Sequence, residues 1–98
     1  MVRINFDQAK LNDFCRRSNI RRLAFFGSVL RDDFRPDSDV DVLVEFEPGH
    51  IPGLAFFAME AELSGLLGRK VDLNTPQFLS SEIRQSVERE AEAQYEQA

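Results

Sequence analysis

The chain has 98 residues, of which 43% are hydrophobic and 30% are charged, and it carries a formal net charge of −5. This composition supplies enough apolar side chains for one globular domain spanning residues 1–98, which excludes a disordered chain, and the acidic balance argues against direct nucleic-acid binding. No apolar run reaches the ~20 residues that a membrane span requires, and the single cysteine, Cys15, excludes an internal disulfide and fits a reducing cytoplasm.

The N-terminal part of the chain predicts a helix followed by a strand. Asp7 is a suitable N-cap for a helix over residues 7–18, whose buried face is predicted to carry Leu11, Phe14 and Cys15. The apolar residues of 20–26 predict a first strand, which Gly27 and Ser28 end.

The middle of the chain predicts a turn, a loop and a second strand. A short helical turn over 28–33 and a loop over 35–38 lead to a strand over 40–46. Apart from its acidic positions this strand is continuously apolar, which is typical of a strand that is covered on both faces.

The second half of the chain predicts two helices around a short strand. After a proline- and glycine-rich loop, residues 54–67 predict a helix that Gly68 terminates, and residues 69–74 predict a third strand. Residues 79–97 predict a final helix, because apolar residues recur in it at steps of four: Ile83, Val87, Ala91 and Tyr95. This order of elements predicts an α/β (α+β) fold, in which helices flank a small mixed β-sheet.

Two aspartates lie one residue apart at the start of the second strand. Asp39 and Asp41 flank Val40 beside an otherwise apolar run. Residues i and i+2 of a strand share a face, so the two carboxylates are expected side by side, where their like charges repel unless a cation lies between them. The simplest physical reason for such a pair is a divalent metal ion.

Asp72 is a third acidic residue in the same kind of environment. It lies between two apolar residues of the third predicted strand. If the second and third strands are neighbours, Asp72 faces Asp39 and Asp41, and the three carboxylates offer the oxygen ligands that Mg²⁺ uses together with a nucleotide's phosphates. Two ions about 3.5–4 Å apart could then hold the attacking and leaving oxygens of an in-line displacement.

The Gly27-Ser28 turn supplies groups that suit a phosphate. Glycine lets the backbone approach a ligand closely, and Ser28 opens a turn with free N–H groups and a hydroxyl. Arg31 is one of several arginines in the first half of the chain whose guanidinium groups match phosphate oxygens. Taken singly, each of these motifs also occurs by chance or on a solvated surface; their combination favours a nucleotide site.

The combined pattern resembles the minimal nucleotidyltransferase (MNT) proteins of the polymerase β-type nucleotidyltransferase superfamily. The signature is Gly27-Ser28, ten residues, Asp39-x-Asp41, and a later strand that carries Asp72. The surrounding segments 23–31, 38–46 and 67–73 are similar to MNT proteins as well, and the resemblance covers residues 6–97.

This resemblance implies a function, a partner and roles for the residues. MNT proteins are antitoxins paired with HEPN-domain toxins, and the implied reaction transfers AMP from ATP to a tyrosine of the HEPN ribonuclease, which neutralises it. The resemblance implies a cytoplasmic hetero-oligomer. It assigns the metal ions to the three aspartates, help in activating the acceptor hydroxyl to the third of them, and the nucleotide phosphates to the glycine turn and an arginine: Asp39, Asp41, Asp72, Gly27, Ser28 and Arg31.

Two other functions remain open from the sequence. The chain could be a non-catalytic antitoxin that masks its partner's surface, although an unused group of carboxylates is costly to keep. It could also transfer nucleotides to a small hydroxylated antibiotic, although no segment after the final predicted helix is left to bind such an acceptor.

Three further features have both a structural and a functional interpretation. The apolar segment 54–59 either completes a small core or is partly exposed as a partner surface. His50 is predicted to be an exposed loop residue rather than a metal ligand, because no second histidine exists. Tyr95 is predicted to pack in the core rather than to be modified.

Overall fold

A computed structural model describes residues 2, 4–50 and 52–97 of the chain; Met1 and Ala98, the ends of the predicted 1–98 domain, lie outside the described residues. Within these residues the chain forms three α-helices and four strands, with a 3₁₀ turn after the first strand and another after the third. In chain order the helices and strands are α1 (Gln8–Arg17), β1 (Ile20–Phe26), β2 (Val40–Phe46), α2 (Ala55–Leu67), β3 (Val71–Asn74), α3 (Ser81–Glu90) and β4 (Glu92–Glu96).

The elements of the N-terminal half lie where the local signals predict them. A carboxylate oxygen of Asp7 accepts hydrogen bonds from the backbone N–H groups of the second and third helical residues, at 3.0 and 3.2 Å, and so caps α1. The predicted buried face of α1 is confirmed, as are the bounds of β1 and β2. The turn after β1 is a 3₁₀ helix over Gly27–Leu30, shorter than the predicted 28–33.

The four strands form one mixed sheet in the order β3-β2-β1-β4. β1 pairs antiparallel with both β2 and β4, whereas β2 and β3 run parallel. The register places Phe26, the last residue of β1, opposite Asp41, and on the other side of β2 it places Asp72 opposite the same aspartate. The predicted small mixed sheet is confirmed.

The core lies between the sheet and the helices α1 and α2. Val40, Val42 and Val44 of β2 are fully buried in one cluster with apolar residues of both helices. Since alternate residues of a strand point to opposite faces, Asp39 and Asp41 belong to the face that this cluster does not occupy. The hydrophobic alternation of β2 therefore determines on which side of the sheet the acidic residues lie.

The predicted final helix over 79–97 is wrong in its second half. α3 ends at Glu90, where Ala91 adopts an extended conformation, and β4 follows as an edge strand that pairs Tyr95 with Leu23 of β1. The apolar residues at 91, 93 and 95 also fit a period of two, so the pattern alone does not separate helix from strand. Without β4, one edge of β1 would be open. Residues 92–96 form a strand because pairing with that edge satisfies the backbone hydrogen-bonding groups of β1. Ile83, the first apolar residue of that pattern, is 55% exposed.

None of the helices in the described part of the chain is both long enough and apolar enough to cross a membrane.

Side chains of α2 cover the outer edge of β3. The Ser64 hydroxyl oxygen accepts a hydrogen bond from the N–H of Val71 at 3.0 Å, and Oε2 of Glu60 accepts one from the N–H of Leu73 at 2.9 Å. These bonds satisfy donors that an edge strand otherwise leaves open to another chain. Because these two hydrogen bonds are made on either side of Asp72, they also fix the position of Asp72 alongside β2.

Removing the Glu60 acceptor is expected to loosen β3. In Glu60→Ala the N–H of Leu73 loses its partner, and we expect a loss of about 1–3 kcal/mol in the free energy of unfolding. The matched control is Glu62→Ala on the same helix, which removes only an exposed ion pair with Arg17 and is expected to cost about 0–1 kcal/mol. Urea unfolding measures both losses, and hydrogen exchange at the Leu73 amide shows whether β3 opens. Equal losses in the two variants would contradict this function of Glu60.

Candidate active site

Gly27 lies directly against the carboxylate of Asp41. Its φ of +76° is in the left-handed region, and a Cβ built on it would lie 3.3 Å from Cγ of Asp41 and closer still to Oδ2. A side chain at position 27 would therefore meet both backbone strain and the carboxylate. Only glycine allows the end of β1 to approach the acidic position of β2 this closely.

Asp41 and Asp72 are register partners in the parallel pair β2–β3. Directly opposed residues of neighbouring strands point to the same face of the sheet, so the two carboxylates lie side by side, as the sequence predicts. The pKa of Asp41 is raised above its ordinary value, first by burial and then by the negative charges of Asp72 and Asp39. Arg31 opposes this shift. The site is therefore an anionic surface with too little positive charge to balance it.

Asp39 lies at the margin of this pair. Its side chain is 45% exposed, and its Oδ2 is 3.9 Å from Nζ of Lys70. Among the described residues, no three His, Cys, Asp or Glu side chains lie close enough together to hold a metal ion by themselves. Magnesium in proteins commonly uses one or two carboxylates and completes its shell with water and substrate phosphates. The carboxylate donors fit that mode of binding, and the metal role of the three aspartates stays a prediction.

Ser28 and Arg31 lie on the turn that follows β1. Ser28 is partly buried, and its carbonyl accepts a hydrogen bond from the N–H of Arg31 at 2.9 Å, which closes the turn. The Arg31 guanidinium is 3.3 Å from Oε1 of Glu90 and 3.7 Å from Asp33. The structure thus brings the predicted phosphate-binding turn next to the acidic pair, while a nucleotide-binding role for its residues remains a prediction.

Glu90 is a site residue that sequence reasoning missed. It ends α3, and its Oε1 accepts a hydrogen bond from the N–H of Gly27 at 2.7 Å. Its charge also raises the pKa of Asp41. The sequence carries no signal for this contact, since it joins residues 63 positions apart and depends on α3 ending where it does.

Arg69 holds the loop between the turn and Asp39 in place. Its Nη1 donates to the carbonyl oxygens of Arg35 and Pro36, at 3.1 and 3.0 Å, and its guanidinium lies 4.7 Å from the ring centre of Phe34. Sequence reasoning also missed the role of Arg69, which it included in the predicted third strand over residues 69–74 without assigning it a contact. Because Arg69 precedes β3, it connects the loop to the strand that carries Asp72.

The remaining candidate residues lie away from the site. His50 is exposed in its loop, as predicted. Cys15 is buried, and burial raises the pKa of its thiol to about 12, so it stays protonated and unreactive. Tyr95 packs partly buried against the core, although from β4 rather than from a helix. Segment 54–59 is divided: Met59 is buried, whereas Leu54 and Phe57 are 86% and 69% exposed.

Comparison with known proteins identifies relatives along most of the chain. Residues 9–94 match the family model described as a nucleotidyltransferase domain. The protein adenylyltransferase MntA of Thermococcus cleftensis is 44% identical over 75 residues, which cover 76% of this chain and 74% of that protein. A candidate protein adenylyltransferase of Methanocaldococcus jannaschii is 37% identical over 71 residues, 70% of either chain.

Solved structures share the fold. A candidate minimal nucleotidyltransferase matches with a TM-score of 0.73 at 38% identity, over 87% of this chain and 86% of that chain. A toxin–antitoxin structure with AMP-PNP matches with a TM-score of 0.75 at 19% identity, over 93% of this chain and 74% of that chain. A complex of an MNT antitoxin with a tri-AMPylated HEPN toxin from Shewanella oneidensis matches with a TM-score of 0.68 at 20% identity, over 92% of this chain and 70% of that chain. The last two show the fold alone; together with the first they confirm the predicted fold class.

The contact between Gly27 and Asp41 is testable by adding one methyl group. Gly27→Ala combines left-handed backbone strain, which costs about 1–2 kcal/mol, with a clash against the carboxylate. Gly68→Ala is the matched control, because Gly68 has a φ of +68° and open space around its Cβ position. We expect thermal unfolding to show the larger loss for Gly27→Ala. Equal losses of stability in the two variants would mean that the Asp41 carboxylate moves aside at no cost in free energy.

Neutralising Asp41 is expected to stabilise the metal-free protein. Two like charges about 4 Å apart in water repel by about 1 kcal/mol, so Asp41→Asn should raise the free energy of unfolding on that order. The raised pKa of Asp41 means that the folded state binds its proton more tightly than the unfolded state. The wild-type protein therefore gains stability as the pH falls through that pKa, and its deficit relative to Asp41→Asn should shrink.

Thermal unfolding in a chelating buffer, followed from neutral to acidic pH, measures this difference. Asp37→Asn is the control, because it removes an exposed loop carboxylate. A loss of stability in Asp41→Asn at neutral pH would contradict the repulsion.

Proposed function

Because this chain belongs to the nucleotidyltransferase domain family, we propose that it is an antitoxin that transfers AMP from ATP to a tyrosine hydroxyl of a HEPN-domain ribonuclease toxin. The predicted enzyme class, a nucleotidyltransferase, is confirmed by the family and by relatives named protein adenylyltransferases. The observation that carries the finer proposal is the register of Asp41 and Asp72 beside the Gly27 turn.

We assign the metal and nucleotide groups to this chain's residues as follows. Asp41 and Asp72, with Asp39 at their margin, would hold magnesium (two ions), which would relieve much of their mutual repulsion. Magnesium bound there supplies positive charge against the phosphates of ATP. The N–H groups and hydroxyl of Gly27 and Ser28 donate hydrogen bonds to phosphate oxygens, and Arg31 adds its guanidinium.

The transfer step needs little covalent chemistry from the protein. The tyrosine oxygen of the partner attacks the α-phosphorus, the new O–P bond forms, the bond to the β-phosphate's bridging oxygen breaks, and pyrophosphate leaves. Asp72 accepts the proton of the attacking hydroxyl. The chain contributes orientation and electrostatic stabilisation, which are the main sources of catalysis in reactions of this type.

The partner is proposed to be a protein that contacts α2. Leu54 and Phe57 form the α2 apolar patch, and both are more than two-thirds exposed. Apolar side chains at the centre of a surface are typical of protein interfaces. A net charge of −5 favours a protein partner over nucleic acid, and we place the complex, a hetero-oligomer, in the cytoplasm.

The same α2 apolar patch favours a second candidate function, in which the antitoxin acts by covering its partner without chemistry. The register of Asp41 and Asp72 argues against this alternative, since it keeps a partly buried carboxylate beside a second one at a cost in stability. Mixing the purified pair without nucleotide separates the two: full neutralisation of the ribonuclease then would favour masking. Labelling of an aminoglycoside instead of the partner would favour an antibiotic nucleotidyltransferase.

The catalytic assignment predicts which variants lose transfer. With α-labelled ATP and magnesium, Asp41→Asn and Asp72→Asn are each expected to lower labelling of the partner by at least about 100-fold, the scale of removing one preorganised electrostatic group. Asp37→Asn should label the partner normally. Intact-mass spectrometry of the partner should show added AMP units with the wild-type chain and with Asp37→Asn, but not with Asp41→Asn or Asp72→Asn. Undiminished labelling by Asp41→Asn would contradict the metal assignment.

A further inference from the structure

The end of α3 places a carboxylate on the turn that is assigned to phosphate. Oε1 of Glu90 is 2.7 Å from the N–H of Gly27 and 3.3 Å from Nη1 of Arg31. One oxygen atom thus accepts from a backbone amide and from a guanidinium. A non-bridging phosphate oxygen would accept from these donors in the same way.

Building on the function proposed above, we propose that Glu90 is an internal competitor of the nucleotide. Its carboxylate occupies the anion position formed by Gly27 and Arg31 and leaves when a phosphate group binds there. Glu90 thereby sets the nucleotide affinity of the site.

The donors cannot serve both anions at once. A backbone amide has a single hydrogen to donate, and the N–H of Gly27 already donates it to Glu90 over a short distance. On its other side the turn is close to Asp41, which lies against the side of Gly27 where a Cβ would stand. Phosphate binding at this amide therefore requires that Glu90 move away.

The surroundings of Glu90 make that movement cheap. Its side chain is 38% exposed, so the carboxylate can rotate into water without a change in the backbone. Glu90 is also repelled by Asp41, whose pKa it raises, and in the described part of the chain its carboxylate is held by Arg31 and the Gly27 amide. Both hydrogen bonds to Glu90 are lost in that movement, but a phosphate oxygen replaces it as acceptor for the two donors and the like-charge repulsion with Asp41 is relieved.

Competition of this kind has a defined effect on affinity. The apparent dissociation constant of a ligand equals its intrinsic value divided by the fraction of protein in the open state. If Glu90 is bound most of the time, removing it tightens nucleotide binding without any new contact. A metal ligand or a direct contact to the nucleotide would have the opposite effect on removal.

Titration of the full chain with a fluorescent ATP analogue and magnesium tests this inference. We expect Glu90→Ala to lower the dissociation constant roughly threefold or more, and Glu90→Gln, which keeps a neutral acceptor, to lie between it and the wild type. Glu88→Ala is the matched control, because Glu88 lies on the same helix and lines a different surface cavity with Glu45 and Arg84. It should bind like the wild type.

The possible outcomes separate this inference from the function on which it rests. Nucleotide binding that is equal or weaker in Glu90→Ala overturns the competitor and leaves the proposed function standing. Absence of binding in every variant overturns both. If Glu90→Ala fails to fold, the NMR resonance of the Gly27 amide provides the test. Addition of ATP should shift this resonance by different amounts in the wild type and in Glu90→Gln. Identical shifts in the two proteins would overturn the inference.

Discussion

The parallel register between β2 and β3 is the constraint on which the site depends. It places Asp41 beside Asp72, and the antiparallel register on the other side of β2 brings the end of β1 to the same aspartate. A shift of one residue in either pairing would turn the carboxylates apart or move them into the core. The buried valines of β2 prevent that shift, because they have to remain against α1 and α2. The hydrophobic core therefore holds in place a charge arrangement that repels itself.

Long-range contacts hold the segments around that arrangement. Glu60 and Ser64 of α2 satisfy the outer donors of β3, and Arg69 joins the loop before Asp39 to the strand that carries Asp72. Each contact holds a segment beside an acidic residue of the site through backbone groups rather than through the acidic side chain itself. The pKa of Asp41 is raised first by burial and then by the negative charges of Asp72, Asp39 and Glu90. Positive charge near the site is supplied by Arg31 and, at the margin, by Lys70.

Features with a local cause were predictable from the sequence, and features with a long-range cause were not. Asp7 caps α1 through its own neighbours, and Gly68 ends α2 through its own φ, so short segments suffice to identify both. The strand β4 depends on the open edge of β1, which no window of residues 79–97 contains. The contact of Glu90 with the site was not predictable for the same reason. In the predicted helix over residues 79–97, Glu90 is one charged residue among several. The acidic pair was predictable because aspartates are rare in an apolar strand without a function.

Under the proposed function, the balance of charge at the site links the binding of cation and nucleotide. Among the described residues, Asp39, Asp41, Asp72 and Glu90 lie around one turn whose own guanidinium comes from Arg31, so a triphosphate that approaches it alone meets net repulsion. A cation on the aspartates would cancel much of the negative charge there and would also weaken the repulsion that Glu90 experiences, which favours its bound position. The nucleotide must then displace a carboxylate that the cation has made more stable. The phosphates offer more oxygens to the cation and to Arg31 than Glu90 does, so this exchange favours a complete nucleotide–metal pair over a lone anion. Reciprocal coupling between the two ligands follows, because each changes the affinity for the other by the same factor.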